Sequence, residues 1–244
     1  MTKILTNPAG GRRWVIADIH GCLQTLKTLV EQRISLTKAD QLFLLGDYID
    51  RGKHSAGVLD YLMGLVSEEY QIYPLLGNHE QMLLDAWQYN LNVKGTGKEK
   101  PIASRMMSAY ELLDASGDLI PAYAEFLESL PYYYELDNFY LVHAGFDFKN
   151  HNPFTDYTSM VWMRNFTDNP TTKTIIHSHQ IKDLHEIKSK IENRNKIIPL
   201  DNGCYYGLYY SKEEKLKLQM ENMTGNLCAL NLDTFEYIAQ PNID

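Results

Sequence analysis

Cysteine is scarce in this chain and badly placed for a structural role. The 244 residues hold three (Cys22, Cys204 and Cys228), far apart and with no Cys-x-x-Cys pair. That excludes a zinc ribbon or a disulfide framework. Long apolar runs are missing as well. No stretch approaches the roughly 18 consecutive apolar residues of a membrane helix, and residues 1–13 lack the apolar segment of a secretory signal. Excess positive charge is also absent: 23 Lys and Arg stand against 31 Asp and Glu, a formal net charge of -8. Such a balance argues against nucleic acid or an anionic membrane as partner. There is no low-complexity tract, internal repeat or linker. These absences predict a cytoplasmic chain folded as one domain over residues 1–244.

The remaining composition is that of an ordinary globular protein, 44% hydrophobic and 22% charged, long enough to bury a core without staples. Its first half alternates. Short apolar runs at 14–17, 42–45 and 72–76 read as strands. Between and after them, 22–34, 53–66 and 80–89 carry helical periodicity, with Leu23, Leu26, Val30 and Ile34, then Val58, Leu59, Leu62, Met63 and Val66, on their apolar faces. This predicts an α/β architecture with a largely parallel sheet. Residues 91–130 read as a loop and a helical insertion, with helices near 102–115 and 121–129. Further strands are predicted at 132–136 and 139–142, joined by an Asp137-Asn138 turn, and at 174–177, 196–200, 205–210, 227–232 and 235–239. Residues 212–222 are polar and rich in lysine and glutamate, and read either as a helical excursion or as a mobile loop.

Polar residues recur at the ends of these strands. The first runs into Asp18-Ile19-His20-Gly21, the second into Gly46-Asp47-Tyr48-Ile49-Asp50-Arg51-Gly52, and the third into Gly77-Asn78-His79-Glu80. Later strands lead to His143-Ala144-Gly145 and to His179. In open α/β sheets the carboxyl ends of strands form the ligand crevice. Carboxylate, amide oxygen and imidazole together suit manganese, iron or zinc. Six such groups exceed the needs of one ion with open positions, and two ions sharing a carboxylate fit better.

On these motifs the chain resembles the metal-dependent serine/threonine phosphoprotein phosphatase (PPP) family, within the calcineurin-like metallophosphoesterases, over about residues 14–210. Bacterial protein phosphatases and symmetric diadenosine tetraphosphate hydrolases are near relatives of that family. The resemblance implies a sandwich of two mixed β-sheets flanked by helices, with two divalent metal ions, manganese foremost, at one edge. It implies that Asp18, His20 and Asp47 hold the first ion. Asp47 would bridge to a second, completed by Asn78, His143 and His179. His79 would be the proton donor to the leaving group, oriented by Asp50, while Arg51, Arg164 and Asn78 bind the substrate phosphate. Arg164 follows Trp162-Met163, as a second phosphate-binding arginine does in the family. Some positions depart from the pattern: Ala17 stands where glycine is usual, and Leu76 where eukaryotic members have arginine, which looks bacterial. The segment His177-Ser178-His179-Gln180 resembles the Ala-His-Gln variant seen in some members. Period two puts 177 and 179 on one face, and His179 is preferred as the ligand, with His177 read as a core histidine. Asp201-Asn202-Gly203 resembles the Asp-x-Gly that follows the metal site in bacterial relatives.

The implied chemistry is in-line attack on phosphorus by a metal-activated hydroxide, with no phosphoenzyme. The expected substrates are phosphoproteins or phosphorylated small molecules. Phosphoserine and phosphothreonine in proteins lead, and dinucleoside polyphosphates are the alternative. A non-catalytic metal-binding scaffold is disfavoured because Asp50, Arg51 and His79 are all present. Residues 94–105, with Lys94, Lys98, Lys100 and Arg105 against Glu99, read either as a solvated loop or as a substrate contact beside the metal edge. The two substrate readings differ in the surface around the site, mainly 91–130 and 205–223, which the sequence leaves open. His54, His151 and His185 read as surface residues, and Cys22 and Cys204 as bystanders beside the motifs.

Overall fold

The computed structural model describes residues 3–4, 10–102, 109–209 and 224–244. Its strands form two five-stranded mixed sheets. In one, β2 (Arg13–Ile16), β3 (Gln41–Leu44) and β4 (Gln71–Pro74) run parallel. That sheet is closed on its other side by antiparallel β9 (Asn226–Asn231) and β10 (Tyr237–Pro241). The second sheet has the order β1 (Lys3–Ile4), β5 (Tyr133–Glu135), β6 (Phe139–Val142), β7 (Thr174–His177) and β8 (Ile197–Pro199). The Asp137-Asn138 hairpin is present, joining β5 to β6.

Side chains alternate along a strand, so each strand serves two cores. Val15, Phe43 and Leu45 point between the sheets, against Tyr134, Leu141, Ile176 and Ile198. Trp14, Ile16, Leu42 and Leu44 face the other way, under the helices. With both faces buried these strands read as unbroken apolar runs. The helices are α1 (Leu23–Lys27), α2 (Ser55–Ser67), α3 (Asn78–Val93) and α4 (Pro121–Glu128) on the first sheet, and α5 (Tyr157–Trp162) and α6 (Leu184–Glu192) on the second. No helix among the described residues is long and apolar enough to cross a membrane.

Several elements differ from the sequence reading. The helix over 22–34 is α-helical only through Lys27 and then widens into a π-helix, Thr28–Ile34, which turns Leu29 into the core beside Val30. On α2, Leu65 is buried instead of Val66, which is 47% exposed. Residues 103–108, most of the first half of the expected helix at 102–115, lie outside the described residues. The part of that span after them is a short 3-10 turn, Ala109–Leu112. Asp114 then accepts from the Ser116 and Asp118 N–H groups, which competes with helix formation. Residues 205–209 are not a strand either. Cys204–Tyr209 is a 3-10 helix that begins after left-handed Gly203, with Tyr205 and Tyr206 stacked 4.5 Å apart. Residues 210–223, including the polar stretch 212–222, lie outside the described residues. The last strand begins two residues late, because Asn231 accepts from the N–H groups of Asp233 and Thr234 and shapes the turn.

Candidate metal centre

The parallel register places the ends of β2, β3 and β4 side by side, with Ile16 opposite Leu44 and Leu44 opposite Pro74. Asp18, Asp47 and Asn78 therefore emerge together. The second sheet aligns Leu141 with Ile176 and brings His143 and His179 to the same edge. One small cavity is lined by every predicted site residue except Asp50 and His143. Those two contact its members: Asp50 Oδ2 lies 2.8 Å from His79 Nδ1, and His143 Nε2 lies 3.0 Å from Asn78 Oδ1.

The backbone is strained where it delivers these groups. His20, Asp47, Asp50, Arg51 and His179 all have φ between 49° and 68°. Residues with side chains reach that region at a cost of about 1–3 kcal/mol each, and do so where the surroundings over-determine them. Here the Ile19 and His20 N–H groups both donate to the Asp47 carbonyl, at 3.0 and 2.8 Å. Glycine is required at Gly77, where an added Cβ would sit 2.3 Å from the Asp47 backbone nitrogen.

Glu80 is the residue that sequence reasoning passed over. Fully buried, its carboxylate accepts from the N–H groups of Asp47, Tyr48 and Gly77 at 2.8 to 3.0 Å, and from Ile49 at 3.3 Å. It thus clamps the loop after β3 to the start of α3. The available signal was its place at the third position of a helix, from which a glutamate reaches back to the capping residue. Asp201, noted in the sequence but given no role, lines the cavity and is held by the Gly203 N–H at 2.7 Å.

Asp47 is central. Its carboxylate lies 3.4 Å from His20 Nε2 and 3.5 Å from His143 Nε2, and one of its oxygens accepts from the His79 N–H at 3.0 Å. Asp47, His143 and His179 present ligand atoms within 4.8 Å of one another, as do His20, Asp47 and His79. In the second group Arg51 Nη2 sits 3.3 Å from His79 Nε2. A guanidinium there repels a cation, so His79 is set apart from the ligands. His177 is not in the cluster: β7 ends at it, and the left-handed turn at His179 separates the two side chains. Its ring packs edge-on to Phe166.

The donor set fits metal ions. Asp18 Oδ1 and His179 Nε2 are buried without a hydrogen-bond partner. His143 Nδ1 contacts the Leu45 carbonyl at 2.8 Å, where it must donate. Its Nε2 is then an acceptor facing another acceptor, Asn78 Oδ1, which a cation would reconcile. Burial pushes the Asp18 carboxyl well above its usual range, with Asp201 and Asp47 adding to the effect, and pushes Asp201 up to about 7. Such carboxylates lack a compensating positive charge. Burial also depresses His143, His20 to about 4 and His179 to about 3. Their imidazoles are therefore neutral at pH 7, the form that binds metal. Burial, and less strongly the Arg51 guanidinium, oppose charge on His79, but the Asp50 hydrogen bond and the Asp47 carboxylate outweigh them and raise its pKa.

This arrangement of two mixed sheets with a carboxylate–imidazole cluster at one edge defines a metallophosphoesterase. The chain belongs to the calcineurin-like phosphoesterases, whose family model matches residues 11–220. A segment of 75 residues is 39% identical to a symmetrical bis(5'-nucleosyl)-tetraphosphatase of Pseudomonas putida (strain W619), covering 31% of this chain and 25% of that protein. Another of 74 residues is 46% identical to serine/threonine-protein phosphatase 1 of Salmonella typhimurium, covering 30% of this chain and 32% of that protein. The matched regions thus span a third or less of either relative. Among solved structures, that of a candidate diadenosine tetraphosphatase superposes with a TM-score of 0.70 at 20% identity, over 100% of this chain and 98% of that one. A serine/threonine phosphatase from Saccharomyces cerevisiae gives 0.56 at 14% identity, over 96% and 81%. These two likenesses concern the fold.

Proposed function

We propose that the chain is a metal-dependent phosphomonoesterase acting on phosphoserine and phosphothreonine in proteins. The observation that carries this reading is the setting of His79, with Asp50 on one ring nitrogen and Arg51 on the other, inside the candidate ligand cluster. Asp18, His20 and Asp47 would hold one divalent ion, and Asp47, Asn78, His143 and His179 a second. Manganese is the ion we favour for this oxygen and nitrogen donor set, with iron and zinc as the other fits. Ions bound there supply Lewis-acid polarisation of the phosphate and a water of lowered pKa.

The chain's own groups do the rest. Arg51, Arg164 and Asn78 fix the phosphate oxygens and stabilise their growing charge. Asp50 keeps the proton on His79 Nδ1 and favours the imidazolium. His79 Nε2 then gives its proton to the departing alkoxide. Both sheets contribute to one site, which supports reading residues 1–244 as a single catalytic domain. Three free, buried thiols support a reducing compartment such as the cytoplasm.

Hydrolysis of dinucleoside polyphosphates is the second reading. Its favouring observation is the stacked Tyr205–Tyr206 pair, with Tyr205 4.3 Å from the Arg51 guanidinium, a surface that suits a nucleobase. The test is kcat/KM, with manganese added, for phosphopeptides, p-nitrophenyl phosphate and diadenosine tetraphosphate. Phosphopeptides should lead. A tenfold advantage for diadenosine tetraphosphate would overturn the assignment. In parallel, His79→Asn should lower turnover of alkyl phosphates by about 10²–10⁴-fold and that of p-nitrophenyl phosphate far less, since a good leaving group needs little protonation. Equal losses would remove His79 from the acid role.

A further inference from the structure

We infer that a donor-rich trough beside the metal edge receives an acidic side chain of the substrate, a few residues from the phosphoserine. This rests on the phosphoprotein reading. Two clefts meet at the mouth of the site. The first contains Arg51, Arg164, Tyr205 and Tyr206. The second, about 500 Å³, runs along α6 and contains His177, Lys190 and Lys196. Asn165, Gln180 and Lys182 line both, so the two form one continuous surface.

The trough's chemistry is unusual for a chain of net charge -8. Three lysines, Lys182, Lys190 and Lys196, face it against two carboxylates, Asp168 and Glu186. Glu186 is already engaged by Lys182 at 3.3 Å, and Lys196 Nζ donates to the Thr172 carbonyl. Lys190 is partly buried on α6 and pairs with no carboxylate among the described residues. The side-chain amides of Gln180 and Asn195 have no hydrogen-bond partner among the described residues. Lys190 and Lys196 thus keep N–H donors for an anion beside the Asp168 carboxylate, and the Gln180 and Asn195 amides can turn an N–H₂ toward it. The second cleft holds lysines and no arginine, so an anionic side chain is met there by flexible point charges and not by a bidentate fork. An extended peptide advances about 3.3–3.6 Å per residue, so a substrate with its phosphoserine at Arg51 and Arg164 carries its neighbouring side chains into this surface.

The test compares phosphopeptides that differ only by Glu or Gln at positions flanking the phosphoserine, using the manganese-loaded protein and Lys190→Glu/Lys196→Glu. The wild type should prefer the acidic peptide by about fivefold or more in kcat/KM, expressed mainly in KM. The double variant should lose or reverse that preference while keeping its activity on p-nitrophenyl phosphate. Lys196→Gln, at an exposed position, should lose part of it without risk to folding. Equal rates on both peptides, or equal losses on peptides and p-nitrophenyl phosphate, would overturn the inference and leave the phosphatase reading intact. Hydrolysis of diadenosine tetraphosphate with no activity on either peptide would overturn both.

Discussion

The two ends of α3 show how differently one helix can treat its termini. At the start, Asn78, His79 and Glu80 are buried in the candidate site, each tied to a group from another element. At the finish, Lys94 reaches Asp118 through an exposed pair at 3.3 Å, and Asn90 holds the backbone of Lys100. The first end suits the candidate site because its N–H groups, which have no acceptor within the helix, and its positive dipole face the carboxylates of Asp47 and Glu80. The second end is a solvated turn. The sequence admitted Lys94 to Arg105 as a substrate contact. The structure separates the described part of that stretch from the site by most of a helix, roughly 17–24 Å at 1.5 Å per residue, and Arg105 lies outside the described residues.

The largest effect should come from Asp47→Asn, at the first end. Asp47 is the carboxylate within reach of both His20 and His143, and it also caps the His79 N–H. On the proposed two-ion reading, losing its charge should reduce bound metal from two ions per chain to one or none. It should also lower kcat/KM on p-nitrophenyl phosphate by more than about a hundredfold. Elemental analysis with parallel kinetics checks this, and two retained ions would show that Asp47 is not shared.

Glu80→Gln should do less and act differently. The carboxylate receives four backbone N–H groups, and an amide offers one oxygen plus an N–H₂ that opposes them. Leaving buried donors unmatched costs about 1–3 kcal/mol, or a fall in Tm of about 2–10 °C at this size. Because Glu80 holds Asp47 and His79 in place without touching substrate, kcat/KM should fall about 10–100-fold, by loss of kcat more than by a rise in KM. Calorimetry and steady-state kinetics on one preparation separate the two effects. An unchanged Tm would mean that the clamp is not structural.

How far these roles were legible depended on the kind of residue. The strand-end motifs marked Asp18, His20, Asp47, Asn78, His79 and His143, because strand periodicity and a polar break are both local signals. His179 was preferred to His177 through family likeness. Period two would have put both on one face, and the left-handed turn at His179 that parts them has no glycine to announce it. Glu80 stood in plain view, but three of its four partners come from a loop some thirty residues earlier, and no local pattern encodes that. The 3-10 turn at Cys204–Tyr209 was read as a strand because aromatic residues favour both settings. What decided it was stacking and a buried bond from Asn242 Nδ2 to the Cys204 carbonyl at 2.9 Å, a contact across 38 residues.

The smallest effect should come from neutralising the other end of α3 with Lys94→Gln, Lys98→Gln and Lys100→Gln together. The Lys94 side chain is 70% exposed, so its pair with Asp118 is worth about 0–1 kcal/mol. The described cations of the stretch sit well beyond the Debye length of about 8–10 Å from the candidate metal centre, with Lys98 and Lys100 held beside Tyr89 and Asn90. Steering of a polyanion by these charges is therefore screened at ordinary salt, while Arg51, Arg164 and Lys182 remain at the mouth. The expected kcat/KM of the triple variant is within about twofold of wild type on phosphopeptide and on diadenosine tetraphosphate alike, at physiological salt. A tenfold loss confined to diadenosine tetraphosphate would place this segment over the site during turnover. It would also reverse the contrast between the two helix ends and restore the polyphosphate reading.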